Sequence, residues 1–130
     1  MYDHPTLIEL VTAVRDFVER QAMPKLEGHA AFHARVAVNA LAIVERQLRL
    51  GPEDEAAELA RLRALLGRDG TLEELNRELC ARLRAGDIGL DTPGLAEHLR
   101  ATTLAKLAVD QPKYSGYLRA LAAAGRDTTE

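Results

Sequence analysis

The sequence predicts an all-α fold: a compact up-and-down bundle of five to six helices forming a single domain. The length of 130 residues suits one domain with its own core. Hydrophobic residues make up 47% of the chain and aromatic residues only 4%, without tryptophan, so the core must be aliphatic, as in packed helices. Apolar residues also recur three and four positions apart, which is the period of an amphipathic helix.

The first half of the chain is predicted to hold three helices. Thr6 and Glu9 form a capping-box pattern that opens helix one, which runs to about residue 23. Helix two is the longest element, over residues 29–50, and Gly51 followed by Pro52 is expected to end it. Because proline suits a first helical turn, helix three is expected to start there and to stop in the loop GRDG.

The second half is predicted to hold two or three more helices. Thr71 with Glu74 repeats the capping box and opens helix four, which ends at Gly86. Helix five is the segment LAEHLRATTLAKLAVD, which Pro112 interrupts, and a short helix six is YLRALAAAG. The predicted domain therefore spans residues 1–125, followed by a frayed tail over 126–130.

Composition and motifs argue against several classes of function. The formal net charge is −3 and the arginines are spread along the chain, so no nucleic acid partner is expected. No apolar run approaches a membrane span, no signal peptide is recognisable, and the lone Cys80 fits a reducing compartment, so a cytoplasmic protein without a membrane is predicted. His29 and His33 lack the glutamate of a zincin motif, and nothing else fixes a reaction. Neither a catalytic residue nor a metal or cofactor is therefore predicted, and a role other than catalysis is favoured.

Polar residues on helix two are the first functional lead. His29, His33 and Gln47 fall within its broad apolar arc on a helical wheel and are expected to face the interior. Arg35 and Asn39 lie together on one margin of that arc, where the amide could accept a hydrogen bond from an arginine.

Helix five and the turn after it give the second lead. Lys106 lies between Leu95 and Leu99 on the wheel and is therefore expected on a buried apolar face. Asp110 lies one turn later, and two tyrosines follow Pro112. These groups either pair with one another and fix helix register, or line a pocket between helices two and five that binds an anionic or hydroxylated ligand. The tyrosine rings either pack on the bundle or form the rim of a partner site. The candidate ligand-binding residues are His33, Arg35, Asn39, Lys106, Asp110, Tyr114 and Tyr117.

Three segments carry a resemblance to a known family. YDHPTLIELVTAVRDFVERQAMPKLEG, FHARVAVNALAIVERQLRLG and LRATTLAKLAVDQPKYSGY resemble a bacterial family, domain of unknown function 6285, over nearly the whole chain. The resemblance implies a small all-helical protein with no assigned activity. It also implies that genes for acyl-CoA dehydrogenases and aminoglycoside-phosphotransferase-like proteins often lie nearby. It supplies no catalytic residues.

Two hypotheses about function follow. The first is a small helical accessory protein that contacts an acyl-CoA dehydrogenase, a phosphotransferase-like protein or another enzyme of acyl-CoA or hydroxyacid metabolism. The contact would use helix two or the tyrosine turn. Because helix five is apolar around most of its circumference, a homodimer is also expected. The second is a small-ligand-binding protein or minor enzyme with a polar pocket between helices two and five.

Overall fold

A computed structural model describes residues 4–127 of the chain, with side chains described as far as residue 124. Within this range there are five α-helices and no strand, so the predicted all-α class is confirmed. A π-helical turn at Val18–Ala22 and a 3-10 turn at Met23–Lys25 connect the first two helices. The helices are α1 Leu7–Phe17, α2 Gly28–Leu66, α3 Leu72–Ala85, α4 Leu95–Asp110 and α5 Ser115–Asp127.

Both predicted capping boxes are present. The Thr6 hydroxyl accepts from the Glu9 N–H at 3.3 Å, and the Glu9 carboxylate accepts from the Thr6 N–H at 2.6 Å. Thr71 and Glu74 make the same two contacts at 3.3 and 2.9 Å. These backbone and hydroxyl donors lower the pKa of both glutamates. Gly86 ends α3 as predicted, with a φ of 81° that suits only glycine.

The prediction that Gly51 and Pro52 separate two helices is wrong, because α2 continues through both as one helix of 39 residues. Proline clashes with the β-carbon of the residue before it, and glycine has none. Gly51 is also buried against Gln47: a β-carbon there would lie 2.5 Å from Nε2 of that side chain. The glycine therefore lets Pro52 follow within α2 and does not stop the helix.

Contacts divide the chain into two compact units, residues 1–51 and residues 52–130, called unit 1 and unit 2 below. Unit 2 contains an aliphatic core in which three leucines are fully buried, namely Leu62 of α2, Leu75 of α3 and Leu95 of α4. Leu66, Leu79 and Ile88 complete the same cluster. The single domain predicted over 1–125 stays a prediction. The predicted tail begins inside α5, and its residues 128–130 lie outside the described residues.

Unit 1 is organised differently. Among its described residues, only Ala34, Glu45 and Gly51 are buried. None of these three residues has a large apolar side chain. Its apolar side chains are half-buried or exposed. Unit 1 therefore leaves its large apolar side chains half-buried or exposed, whereas unit 2 has an aliphatic core although it also exposes some apolar side chains, such as Leu90.

Candidate interaction surfaces

An apolar face of α1 is exposed along its whole length. Its four members are spaced three, four and three positions apart, and both Leu7 and Phe17 are 60% exposed. This spacing is that of alternate a and d positions in a heptad, so the side chains form one strip along the helix. The strip is called the α1 seam and consists of Leu7, Leu10, Val14 and Phe17.

The opposite side of α1 is tied to α2 by an ion cluster around Glu45. Arg15 donates to one carboxylate oxygen of Glu45 at 2.5 Å, and Arg49 donates to the other at 2.8 Å. Only 6% of Glu45 is exposed. Arg15 also contacts the carboxylate of Asp16 at 3.3 Å. A buried carboxylate without a partner would be strongly destabilising, so these arginines make the burial of Glu45 possible.

The outer face of the first half of α2 is also apolar and exposed. Its members are spaced four, three and four positions apart, and Phe32 is 61% exposed. One polar residue, Asn39, lies among the apolar ones and is exposed as well. This strip is called the α2 stripe and consists of Phe32, Val36, Asn39 and Ile43.

The prediction that His29, His33 and Gln47 face the interior is wrong, because all three are exposed. The helical wheel correctly grouped them with the large apolar residues, but that group faces outwards. The buried face of this stretch carries Ala34 and Glu45 instead. Small side chains permit close approach of another helix, and the arginine partners compensate the carboxylate, so the face with the largest apolar residues is not the buried one.

Arg35, also a candidate, is exposed beside the α2 stripe. The ring of His33 packs edge-on against Phe32, with centroids 5.5 Å apart. A groove of about 450 Å³, open to solvent, adjoins the start of the stripe and is lined by Gly28, His29 and Phe32. The apolar surface around Phe32 is therefore broad and open to solvent.

The candidates of unit 2 are mostly exposed too. Lys106 and Asp110 lie on an outer face of α4 that also exposes Leu99, so the predicted placement of the lysine on a buried apolar face is wrong. The buried side of α4 runs through His98 and Val109, which moves Lys106 to the solvent side.

The tyrosine turn was predicted to pack on the bundle or to form a rim. Tyr114 is half-exposed and Tyr117 is half-buried. Three of the seven candidates, His33, Arg35 and Asn39, belong to unit 1, and the other four belong to unit 2. That the seven form one ligand site stays a prediction.

A buried polar group that the sequence did not indicate is His98 of α4, which is 2% exposed. Its pKa is lowered by burial and, to a smaller extent, by the positive charge of Arg61, against which the negative charge of Glu58 acts. Among the described residues, Nδ1 of this ring has no hydrogen-bond partner. The Arg61 guanidinium donates to the Thr102 hydroxyl at 3.5 Å. A single histidine flanked by Glu97 and Leu99 carries no local signal of burial.

A cleft of about 190 Å³ lies between α2 and the start of α4 in unit 2. It is lined by Arg61, Ala64, Leu65, Pro93, Gly94 and Glu97. Typical ligand pockets enclose roughly 300–1,000 Å³, so this cleft is small, and its lining includes both a carboxylate and an arginine. It therefore supports a ligand-binding role less well than the apolar surfaces of unit 1 support a contact with protein.

Two further observations concern residues 4–127. Within them, no group of three or more histidine, cysteine, aspartate or glutamate side chains is arranged to hold a metal ion. Over the same part of the chain, no helix combines the length and apolar character needed to cross a bilayer.

The chain belongs to the family domain of unknown function 6285 (DUF6285), whose model matches residues 24–114. The matched region contains all of α2, α3 and α4, and it ends at Tyr114. No curated protein and no solved structure matches the chain. The α2 stripe therefore lies inside the family region, whereas α1 and α5 lie outside it.

Proposed function

We propose that this member of the DUF6285 family is a non-catalytic helical accessory protein that binds a partner protein through the α2 stripe. The observation that carries the proposal is the exposed row of Phe32, Val36 and Ile43 on one face of a long helix. A large apolar side chain exposed once is ordinary, but an aligned row of them is typical of a binding surface. Its place inside the family region supports a role common to the family.

The chemistry of the stripe indicates the kind of partner surface. A helix with aligned apolar residues fits an apolar groove, with each large side chain filling a pocket. Phe32 is the natural anchor, because buried aromatic residues dominate binding energies in many interfaces. The groove beside it can in turn receive a side chain of the partner.

Polar residues of the stripe would set specificity. Asn39 lies between Val36 and Ile43, so a partner must offer a hydrogen-bonding group there or leave the amide unsatisfied. The exposed Arg35 and His33 would form the rim of the interface, where polar residues remain in contact with water. The partner surface is thus apolar at its centre and polar at one defined position.

The proposed partner is an enzyme of acyl-CoA or hydroxyacid metabolism, and the two candidates are an acyl-CoA dehydrogenase and a phosphotransferase-like protein. Both come from the resemblance described above, and the apolar stripe is compatible with a contact of either. The role is that of a small subunit that binds the enzyme without contributing catalytic groups.

Titration calorimetry with each purified candidate enzyme tests the proposal. We expect one of them to bind, and Phe32→Ser to weaken that binding at least tenfold because the central anchor is lost. The matched control is Leu90→Ser, since Leu90 is 86% exposed in unit 2 and distant in sequence from the stripe. Absence of binding by both enzymes would refute the partner class. Unchanged binding by Phe32→Ser would refute the proposal that the α2 stripe is the binding surface.

A further inference from the structure

The α1 seam is a second exposed apolar surface, and the proposed function does not use it. α1 is apolar on two sides, because Ile8 and Val11 lie half-buried on the side towards Arg15 while the seam faces solvent. A helix that covers one face of a monomer needs only one apolar strip. The second strip therefore requires a partner.

The seam is self-complementary. Its spacing of three, four and three reads the same in both directions along the helix. When a second α1 runs antiparallel along it, Leu7 lies opposite the partner's Phe17 and Leu10 lies opposite the partner's Val14. This is the pairing of a with d positions found in packed antiparallel helices, and it is the geometry of a two-fold axis.

The charges of α1 do not oppose such a pairing. The seam carries no charged residue, and Ala13 beside it is small. The Glu9 carboxylate is held at the start of the helix by the backbone N–H and hydroxyl of Thr6, at 2.6 and 2.9 Å. Arg15 is engaged by Glu45 on the opposite side of the helix. Two copies can therefore meet without placing like charges against each other.

The exposed area is sufficient for a dimer. The four residues of the seam are each about half exposed, which amounts to roughly 400 Å² of apolar surface per protomer at about 200 Å² for a large side chain. Apolar atoms supply about 65% of a homodimer interface, so complete coverage of both seams would bury roughly 1,250 Å² in total. This value lies within the range of about 1,200–2,000 Å² of specific protein interfaces.

We infer that the protein is a homodimer in which the α1 seams of two copies pack antiparallel across a two-fold axis. The inference differs from the dimer that the sequence predicts through helix five, which is α4 of the structure. The α1 seam exposes larger apolar side chains than α4 does. The inferred dimer is also independent of the proposed enzyme contact, because that contact is made by the α2 stripe. Either proposal can fail while the other stands.

Sedimentation equilibrium of the full chain between about 1 and 100 µM gives the first test. The parent is expected at twice the monomer mass of 14.2 kDa at the higher concentrations. Leu10→Ser is expected to raise the dimer dissociation constant at least tenfold, since Leu10 lies near the centre of the seam. The control Phe32→Ser changes a half-exposed side chain of the α2 stripe and should remain dimeric. A parent mass of 14.2 kDa throughout, or a Leu10→Ser dimer as tight as the parent, would overturn the inference.

Cysteine crosslinking tests the orientation and does not depend on the behaviour of a serine variant. In a Cys80→Ser background, the double variant Leu7→Cys/Phe17→Cys should form an intermolecular disulfide. The two positions are about 15 Å apart along one helix, too far for a bond within one chain. Leu7→Cys alone should not crosslink, because the two copies of that position lie at opposite ends of the pair. Efficient crosslinking of Leu7→Cys, or none by the double variant, would overturn the antiparallel pairing.

Discussion

Unit 1 and unit 2 use apolar residues in different ways. Unit 2 buries six aliphatic side chains in one cluster, three of them completely. The described residues of unit 1 bury no large apolar side chain and instead bury Glu45 between two arginines. Because both units are rich in apolar residues, apolar content alone does not indicate where a core forms.

The difference separates two sources of stability. A hydrophobic core stabilises in proportion to the apolar area removed from water, and unit 2 removes it within the chain. In unit 1 the α1 seam and the α2 stripe remain available, and their burial contributes free energy only when a partner is present. Substitutions in the core of unit 2 should therefore change the stability of the isolated chain, whereas substitutions in the α1 seam or the α2 stripe should mainly change association.

The largest expected effect is that of a core truncation in unit 2. Leu75→Ala should lower the free energy of unfolding by about 3–4 kcal/mol, because the side chain is fully buried and its removal leaves a cavity. Leu10→Ala in unit 1 should lower it by less than about 1 kcal/mol in dilute solution, since Leu10 is about half exposed. Urea denaturation followed by circular dichroism at low protein concentration measures both. Equal losses would contradict the contrast between the units.

The second effect concerns the ion cluster that holds unit 1 together. Glu45→Ala should lower the free energy of unfolding by about 2 kcal/mol, less than for a fully buried pair because Arg15 is partly exposed. The control is Glu73→Ala in unit 2, whose 2.6 Å pair with Arg77 is solvent-exposed and should contribute less than about 1 kcal/mol. Urea denaturation at two salt concentrations measures the free energy of unfolding of both variants. A loss for Glu45→Ala no larger than that of the control would show that its burial does not matter.

The parts of the fold that could be predicted from the sequence are those fixed locally. Thr6 and Thr71 signal helix starts because a capping box involves only residues three apart, and Gly86 ends α3 for a similar local reason. Pro52 signals a helix end because its breaking tendency is also local, but α2 continues because the glycine before it has no β-carbon to clash with the proline. Local signals therefore gave the helices but not the continuity of α2.

The candidate surfaces could be predicted only in part. The wheel placed His33 and Phe32 on the same face of the helix, as observed, but it assigned the wrong face to the interior. The correct assignment depends on Glu45 pairing with Arg15, which lies 30 positions away, and no pattern in one sequence reveals which distant residues meet. The burial of His98 depends on α2 in the same way, because Arg61 and Glu58 belong to that helix.

The third effect compares the capping boxes of the two units. Thr71→Ala should lower the free energy of unfolding by about 1 kcal/mol, because α3 begins beside the core and the Glu74 N–H loses its acceptor. Thr6→Ala should mainly fray the start of α1, which packs less tightly. Amide hydrogen exchange distinguishes the two, since the first change should raise exchange throughout unit 2 and the second only near residue 9. Raised exchange of the core leucines in Thr6→Ala would contradict this difference.

The smallest effect is a pH dependence that belongs to unit 2. Burial lowers the pKa of His98 below its usual 6.5 in the folded state, so the unfolded chain binds more protons as the pH falls. The contribution of the neutral ring to stability is therefore complete above about pH 6.5 and is lost as the pH falls towards the folded pKa.

The window that isolates this effect lies between about pH 5.5 and 7.5. The glutamates of the capping boxes have pKa values lowered from 4.5, so the stability they contribute is lost only at more acidic pH. Melting temperatures measured across the window should fall with acidification in the parent. They should fall less in His98→Gln, which cannot titrate, even if that variant is less stable at every pH because its amide is also buried. A parent slope that His98→Gln retains in full would mean that other groups cause the slope and that the burial of His98 does not make the stability depend on pH.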